Sequence, residues 1–202
     1  MTPRGHPPID VRPVVLEGEH VRLEPLSREH LDGIERAGSF EQIWRWMSLF
    51  PRAREDFERV IDEALRQREA GLRLAFAIIE KTSAEVVGST SFVAISPRDR
   101  RLEIGSTWLT PRVQRTPVNT ECKYLLLRHC FEDLGCLRVE LKADARNTPS
   151  RNAILRIGAK EEGTLRKHQL QQDGVQRDSV YFSILDDEWP DVKRRLEEML
   201  RR

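Results

Sequence analysis

The segment over residues 101–143 constrains the fold of this chain more than any other feature of its sequence. Residues 101–110 and 137–143 alternate between apolar and polar side chains, as strands do, and residues 118–134 between them have the spacing of a long amphipathic helix. Two neighbouring strands that are connected by such a crossover helix pair in parallel. The sequence therefore predicts one parallel strand pair in the sheet of this protein.

Two further strand patterns come directly before this segment and predict antiparallel pairing. Residues 73–80 form an almost continuous apolar run, and residues 85–94 follow after a short polar turn. A second turn, over residues 97–100, leads into the strand at residues 101–110. Strands joined by short turns lie side by side in opposite directions. We assign alternate residues of the third strand to its two faces, with Leu102, Ile104, Ser106 and Trp108 on one face and Glu103, Gly105, Thr107 and Leu109 on the other.

The remaining patterns complete a single mixed α/β domain of the α+β class. Helices are predicted at residues 28–37, 54–70 and 148–157 and from Trp189 onward, and strands at residues 21–25, 162–170 and 175–185. A turn at Asp173-Gly174 joins the last two strands. We expect a central, mostly antiparallel twisted sheet whose one parallel pair opens a cleft, with helices on both faces. The domain covers residues 14–202, and the proline-rich residues 1–13 form a flexible or extended tail.

The composition excludes several classes of function. Lys and Arg number 34 and Asp and Glu number 33, so the net charge of +1 gives no electrostatic basis for binding nucleic acid. No segment approaches the roughly 18 consecutive apolar residues of a membrane-spanning helix. Cys122, Cys130 and Cys136 form no CxxC pair, and with no signal peptide we expect free thiols in the cytoplasm. No group of side chains has the spacing of metal ligands, so we expect no metal.

Two strand-to-helix junctions carry polar groups that suit a ligand. The first turn of a helix has unpaired N–H groups and a partial positive charge, and the polar loop at residues 111–119 opens the long helix. Ordinary capping by Thr116 with Pro117, or by Asn119, explains the same residues. At the second junction Asn147 follows a strand and Ser150 lies one helical turn beyond, where Asn147 either contacts a ligand or caps the helix.

These features together resemble one known family. The strand with EIG at residues 103–105, the loop into the long helix, the Asn147-x-x-Ser150 pair and the following helix that ends in Gly158-Ala159 are similar to those of the GNAT superfamily of acetyl-CoA-dependent N-acetyltransferases. The resemblance covers about residues 14–200. More narrowly, the chain resembles the branch that includes the ribosomal-protein N-terminal (alanine or serine) acetyltransferases.

The resemblance implies an enzyme that moves an acetyl group from acetyl-CoA to a primary amine in a ternary complex. It implies that the pantetheine arm of acetyl-CoA pairs with the backbone of Trp108, Leu109 and Thr110 and contacts Asn147. Ser150 is expected near the thioester sulfur. The pyrophosphate is expected against a set of residues at the helix start, namely Gln114, Arg115, Thr116, Val118, Asn119 and Thr120. The acceptor side of the cleft is expected to include Trp44, Trp46 and Met47.

The chain departs from the family pattern at two positions. The loop from Gln114 to Asn119 has no glycine, and Pro117 lacks the N–H group that could bind phosphate. Ile154 stands where many members have the tyrosine that protonates the leaving thiolate, so Ser150 or a water is expected to supply that proton. We assign Glu103 as the general base, acting through a water. The alternative for Glu103 is an ordinary surface or salt-bridged carboxylate.

Several alternatives remain open at the level of sequence. The acceptor amine is a protein N-terminus, a lysine or a small molecule. The glycine-free loop and the missing tyrosine also suit a CoA-binding regulatory protein without turnover. A third alternative is an acyltransferase that uses another acyl-CoA, such as succinyl-CoA, because the assigned residues contact only the shared part of CoA. A homodimer is expected from the family resemblance alone.

Overall fold

The computed structural model describes residues 7–171 and 174–201 of the 202-residue chain. The strands are β1 (Leu16–Glu17), β2 (Val21–Pro25), β3 (Leu74–Glu80), β4 (Glu85–Ser96), β5 (Arg101–Leu109), β6 (Arg138–Asp144), β7 (Lys160–Leu170) and β8 (Gln176–Leu185). The α-helices are α1 (Leu31–Gly38), α2 (Arg54–Glu69), α3 (Pro117–Arg128), α4 (Thr148–Arg156) and α5 (Trp189–Leu200). Asp173 of the predicted turn lies outside the described residues.

Short helical turns complete the connections between these elements. Arg28–His30, Glu41–Trp46 and Pro111–Val113 are 3₁₀ turns. The helix predicted at residues 118–134 ends in a π-helical turn, His129–Asp133. The predicted helices and strands are confirmed, with shifts of a few residues at their ends.

The strands form one sheet in the order β1-β2-β3-β4-β5-β6-β8-β7. Neighbouring strands run antiparallel except β5 and β6, which are parallel as the crossover through α3 requires. The mixed α+β architecture with one parallel strand pair is therefore confirmed. The parallel pairing is short, because it joins only Arg101–Glu103 to Arg138–Glu140.

A β-bulge at Ser106 divides β5 into two parts. Ser91 pairs with Gly105 and Ser89 with Trp108, so two steps along β4 are matched by three steps along β5. Ser106 absorbs the extra residue with a φ of 49°. The predicted strict alternation along this strand is therefore wrong beyond residue 105. Leu102, Ile104 and Leu109 share one core, whereas Trp108 packs into the other.

Two hydrophobic cores lie on the two faces of the sheet, which confirms helices on both sides. The larger core includes Cys122, Leu125 and Leu126 of α3, Leu196 of α5 and apolar residues from six strands or more. The smaller core is built mainly from α1, α2 and the Glu41–Trp46 turn, and its sheet residues come from β3, β4 and β5. On that face β6, β8 and β7 contribute no residue to the described core, and their side chains there are largely polar. Cys122, Cys130 and Cys136 are buried free thiols, as expected.

The described part of the N-terminal segment packs against the domain. Residues 7–13 have no helix or strand. The amide of Ile9 donates to the carbonyl of Pro97 over 3.1 Å, and the Ile9 side chain is buried in the larger core. Residues 7–13 therefore contribute a core residue although they form no regular element.

A single carboxylate attaches the β1–β2 turn to the long helix. Glu121 of α3 is buried and accepts hydrogen bonds from the amides of Glu19, His20 and Val21 over 2.8, 2.7 and 2.8 Å. Gly18 lies so close to this carboxylate that a Cβ atom there would overlap with it. The three bonds satisfy the backbone donors at the tip of the turn, including that of the buried Val21.

Candidate active site

The central cleft lies where β5 and β6 separate. The two strands pair only as far as Glu103 and Glu140, although β6 stays paired with β8 as far as Asp144. Because a bulge bends its strand, we attribute the separation to the bulge at Ser106. Beyond the bulge, β5 pairs with β4 along one edge, and among the described residues its other edge has no strand partner. An extended ligand with amide groups can pair with such an edge.

The end of β5 is fixed by bonds to its own surroundings. The carbonyl of Leu109 accepts a hydrogen bond from Nε2 of Gln114 over 3.0 Å, and the amide of Thr110 donates to the carbonyl of Val87 over 2.8 Å. Trp108 pairs with Ser89 of β4. The three residues predicted to bind pantetheine therefore lie together at the cleft, and two of their backbone groups already have partners.

The start of α3 lies directly after β5 and is capped by Thr116. Its Oγ1 donates to the carbonyl of Val113 over 2.7 Å and accepts from the amide of Val118 over 3.4 Å, and Pro117 takes the first helical position. The capping alternative is thus observed. The exposed Arg115 has a φ of 64°, the left-handed conformation that glycine usually adopts. This conformation lets a loop without glycine turn into the helix.

The other predicted phosphate residues differ in what they expose. Val118 packs its side chain into the larger core, so only its backbone remains for a ligand. The hydroxyl of Thr120 is buried and accepts a hydrogen bond from Arg156 of α4 over 3.0 Å. Asn119 is half-buried and Gln114 is exposed. The exposed polar groups at this helix start are therefore Gln114 and Arg115, with Asn119 partly accessible.

Asn147 and Ser150 stand at the junction between β6 and α4. Oδ1 of Asn147 accepts a hydrogen bond from the amide of Ser150 over 3.2 Å, which makes Asn147 the N-cap of α4. Ser150 is half-buried in the first turn of the helix. Ile154, one turn further on, is buried in the larger core. The capping alternative is again observed, and both junction residues lie at the exit of the strand that borders the cleft.

Glu103 is a buried, salt-bridged carboxylate rather than a surface group. Its side chain is 3% exposed, and Oε2 accepts a hydrogen bond from Nζ of Lys142 over 2.9 Å. Gly105 gives the carboxylate room, because a Cβ at that position would lie 2.5 Å from Oε1. Glu103 is the last residue of β5 that pairs with β6. The candidate base is therefore held at the point where the two strands separate.

Lys123 is a buried cation beside the cleft that the sequence reasoning missed. Its Nζ donates to Oγ1 of Thr107 over 3.0 Å, and this hydroxyl also bonds to the hydroxyl of Thr90 over 2.8 Å. Burial lowers the pKa of Lys123 to about 8, although Cys122 and Glu103 act in the opposite direction. The signal in the sequence was a lysine inside the apolar stripe of α3, next to Cys122.

The aromatic segment predicted on the acceptor side contacts the cleft through two tryptophans. Trp44 is buried, and its Nε1 donates to the carbonyl of Gly38 over 2.8 Å. Its ring lies 5.1 Å from the ring of Trp108 beyond the bulge. The half-buried ring of Trp46 is covered by the guanidinium of Arg146 at 5.2 Å, and Met47 packs against the smaller core. The segment therefore extends from β5 to the exit of β6.

A polar surface on β6, β7 and β8 continues from Glu103 on the same face of the sheet. Tyr181 pairs with Lys142, and the Lys142 ammonium lies 5.9 Å from the Tyr181 ring. His168 bonds to Ser179 through Nδ1 over 3.1 Å and to the Tyr181 hydroxyl through Nε2 over 3.4 Å. These bonds connect the side chains of His168, Ser179 and Tyr181 on this surface.

A surface cavity beside Trp44 is distinct from this cleft. It is lined by Glu35, Gly38, Ser39, Glu41, Trp44, Phe50, Pro51, Arg52 and Phe57. None of these residues belongs to β5, β6 or α3.

Over residues 7–171 and 174–201, no cluster of His, Cys, Asp and Glu has a geometry suited to a metal ion. In the same part of the chain no helix has the length and apolar character to cross a membrane.

Comparison with known proteins places this geometry among acetyltransferases. Residues 20–160 match the acetyltransferase (GNAT) domain. The solved structure of a GCN5-related N-acetyltransferase from Brucella melitensis superposes with a TM-score of 0.91 at 34% identity, covering 98% of this chain and 90% of the other.

Two further proteins are similar to this chain, one named as a ribosomal-protein acetyltransferase and one solved in complex with CoA-disulfide. The ribosomal-protein-serine acetyltransferase of Escherichia coli (strain K12) is 23% identical over 172 residues, 83% of this chain and 94% of that protein. The structure of Mycobacterium smegmatis RimJ in complex with CoA-disulfide has a TM-score of 0.80 at 23% identity, covering 93% of this chain and 95% of the other.

Proposed function

The chain belongs to the GNAT acetyltransferase family, and from this premise we propose that it transfers the acetyl group of acetyl-CoA to a primary amine in a ternary complex. The observation that carries the proposal is the cleft between β5 and β6, where an unpaired strand edge lies next to the start of α3. These two features offer a surface for an amide-containing arm and for a pyrophosphate.

Acetyl-CoA is proposed to bind along this path. The pantetheine arm lies against the backbone at Trp108, Leu109 and Thr110 and reaches Asn147 at the end of β6. The pyrophosphate lies at the start of α3, where the backbone N–H groups of the first turn and the exposed Arg115 attract negative charge. The fold resemblance to a relative crystallised with CoA-disulfide is consistent with this path.

Glu103 is proposed to remove a proton from the acceptor amine through a water. The hydrogen bond from the Lys142 ammonium over 2.9 Å holds the Glu103 side chain in place at the point where β5 and β6 separate. The neutral amine attacks the thioester carbonyl carbon, and a backbone N–H near Leu109 polarises the carbonyl oxygen. Collapse of the tetrahedral intermediate breaks the C–S bond and releases the thiolate of CoA.

The thiolate takes its proton from a water or, in this proposal, from Ser150, which regains a proton from a water. Ile154 is apolar and buried, so the position that carries a tyrosine in many family members has no acidic group here. Ser150 stands in the first turn of α4, next to the cap residue that is proposed to contact the pantetheine arm. A hydroxyl there is on the β6 side of the cleft, where the sulfur is proposed to lie.

The acceptor is proposed to be a protein or peptide N-terminus or a small-molecule amine. An α-amine has a reference pKa of about 7.7–8.0 and a lysine amine about 10.4, so an α-amine needs less help from a base near neutral pH. The similarity to a ribosomal-protein-serine acetyltransferase favours the N-terminus. We place the protein in the cytoplasm, which suits its three free thiols.

A panel of amines with acetyl-CoA tests the function directly. We expect acetylation of at least one acceptor by mass spectrometry, with one CoA released per product. Glu103→Gln is expected to lower kcat about 100-fold or more, the usual contribution of a general base, while the dissociation constant of acetyl-CoA stays unchanged. The matched control is Glu140→Gln, because Glu140 pairs with Glu103 across the parallel strands and is bound by Arg138.

Three results would contradict parts of this proposal. Tight binding of acetyl-CoA without turnover across the panel would support a CoA-binding regulatory protein instead. Faster turnover with succinyl-CoA than with acetyl-CoA would support a different acyl donor. Wild-type kcat for Glu103→Gln at every pH would remove Glu103 as the base.

A further inference from the structure

Arg177 is a buried arginine on the polar surface of β8. Arg177 is 8% exposed, and in the described part of the chain its Nε has no hydrogen-bond partner. Among the residues that the structure describes, no carboxylate lies within ion-pair distance of its guanidinium. A buried charge in a folded protein is normally paired, because its desolvation is costly. Arg177 therefore has an unused capacity to bind an anion.

The nearby carboxylates are already bound to other cations. Both oxygens of Asp144 accept hydrogen bonds from the Arg146 guanidinium, over 2.9 and 2.7 Å. Glu103 is bound to Lys142. Arg177 interacts electrostatically with Asp144, Glu103 and Tyr181, and burial nevertheless lowers the pKa of its guanidinium. Among the described residues, Asp144 and Glu103 are therefore each bound to a cation other than Arg177.

A second donor without a partner lies in the same cluster. Nε2 of Gln171 is buried and has no hydrogen-bond partner among residues 7–171 and 174–201, whereas Oε1 of the same amide accepts from Arg146 over 3.2 Å. Gln171 directly follows β7, whose residue Gln169 pairs with Arg177 across the strands. Both unused groups are donors, so the missing partner is an acceptor. An oxygen anion satisfies both of them.

The position of this cluster relative to Glu103 limits the length of the ligand. Tyr181 pairs with Lys142, which holds Glu103, and Arg177 is four residues away from Tyr181 along β8. Four residues of a strand span about 13 Å, and the arginine side chain reduces that separation. An amine at Glu103 and an anion at Arg177 are therefore several bonds apart.

We propose that Arg177, assisted by Gln171, binds a carboxylate of the acceptor, so that the enzyme acts on amines that carry a carboxylate several bonds from the reacting nitrogen. This inference rests on the proposed acetyl transfer and specifies its substrate class. The carboxylate comes either from the acidic side chain of a peptide or from the α-carboxylate of an amino acid such as lysine. Discrimination is expected to be strong, because an uncharged acceptor leaves both buried donors unpaired.

The test compares acceptors that differ only in that charge. The peptide pair is Ser-Glu amide and Ser-Gln amide, and the amino-acid pair is lysine and its methyl ester. In at least one pair, wild-type protein is expected to have a kcat/KM about 10-fold or more higher for the carboxylate, mainly through KM. Arg177→Gln is expected to abolish this ratio while acetyl-CoA affinity and kcat for the neutral acceptor stay within about 2-fold. Arg177→Lys is expected to restore part of it.

The controls separate this inference from the proposed function. Arg166→Gln removes an exposed arginine of β7 in the same hairpin and is expected to keep the ratio. Calorimetric titration of the four acceptors into the CoA complex gives a readout without turnover. Acetylation or binding with no preference for the carboxylate in either pair would overturn the inference and leave the acetyl transfer intact. Absence of any acetylation would contradict the transfer, and carboxylate-dependent binding lost in Arg177→Gln would still support the anion site.

Discussion

Replacing Lys123 by methionine is expected to stabilise the protein at neutral pH. Burial lowers the pKa of Lys123 from 10.5 to about 8, which corresponds to a penalty of about 3 kcal/mol for holding the ammonium in the folded state. Methionine keeps a flexible unbranched side chain and removes the charge. The bond from Lys123 to Thr107 is lost as well. The expected gain in unfolding free energy at pH 7 is therefore about 1–3 kcal/mol.

The pH dependence of stability separates this mechanism from simple repacking. The unfolded chain keeps the Lys123 proton up to about pH 10.5, and the folded protein keeps it only up to about pH 8. The penalty is complete below pH 8, decreases as the pH rises from 8 to 10.5, and disappears above that range. The gain from Lys123→Met, measured by urea unfolding, is therefore expected to be large at pH 7 and small near pH 10.5.

The control for Lys123→Met is a lysine on the surface. Lys160 is bound to Glu188 and its side chain is 72% exposed, so Lys160→Met is expected to change the stability by less than about 1 kcal/mol. A Lys123→Met variant that is less stable than the wild type at pH 7, with the same difference at pH 10, would refute the reasoning. It would mean that the interactions with Glu103 and Thr107 fully offset the desolvation penalty of the Lys123 ammonium.

The other predictions concern the attachment of the N-terminal strands and the phosphate end of the cleft. Glu121→Ala leaves the amides of Glu19, His20 and Val21 without their acceptor and is expected to lower the unfolding free energy by about 3–5 kcal/mol in urea; a loss below about 1 kcal/mol would show that water replaces the carboxylate. Arg115→Ala is expected to raise the dissociation constant of acetyl-CoA about 10-fold, measured by calorimetry at low salt; an unchanged constant would exclude Arg115 from the phosphate site.

Local patterns predicted the architecture because each element has a clear period. The strand, helix and strand between residues 101 and 143 required the parallel pair, and the apolar run at residues 73–80 identified a strand that is buried in the structure. Capping by Thr116 and by Asn147 was an alternative that the sequence left open beside ligand binding, and both caps are observed, because N-caps are determined by a few neighbouring residues. The capping role and the predicted ligand role of these junctions share the same local sequence.

The site depended on contacts that no local pattern contains. The bulge is at Ser106, a residue with no special preference for positive φ, so a strict alternation placed Leu109 and Trp108 on the wrong faces. The bonds of Glu121 join residues about 100 positions apart. From the sequence alone, Arg177 is an ordinary polar residue of a predicted strand. Its side chain is buried only because β6, β7 and β8 come together in the folded sheet.

The most direct test of the account is a calorimetric titration of the protein with acetyl-CoA, with the adenine nucleotide part of CoA as the control. The proposed binding mode requires the pantetheine arm to lie against the unpaired edge of β5, in the cleft formed by the separation of β5 and β6. It predicts one binding site in the micromolar range for acetyl-CoA and much weaker binding of the nucleotide that lacks the arm. Equal binding of the two ligands, or no binding at high protein concentration, would contradict it.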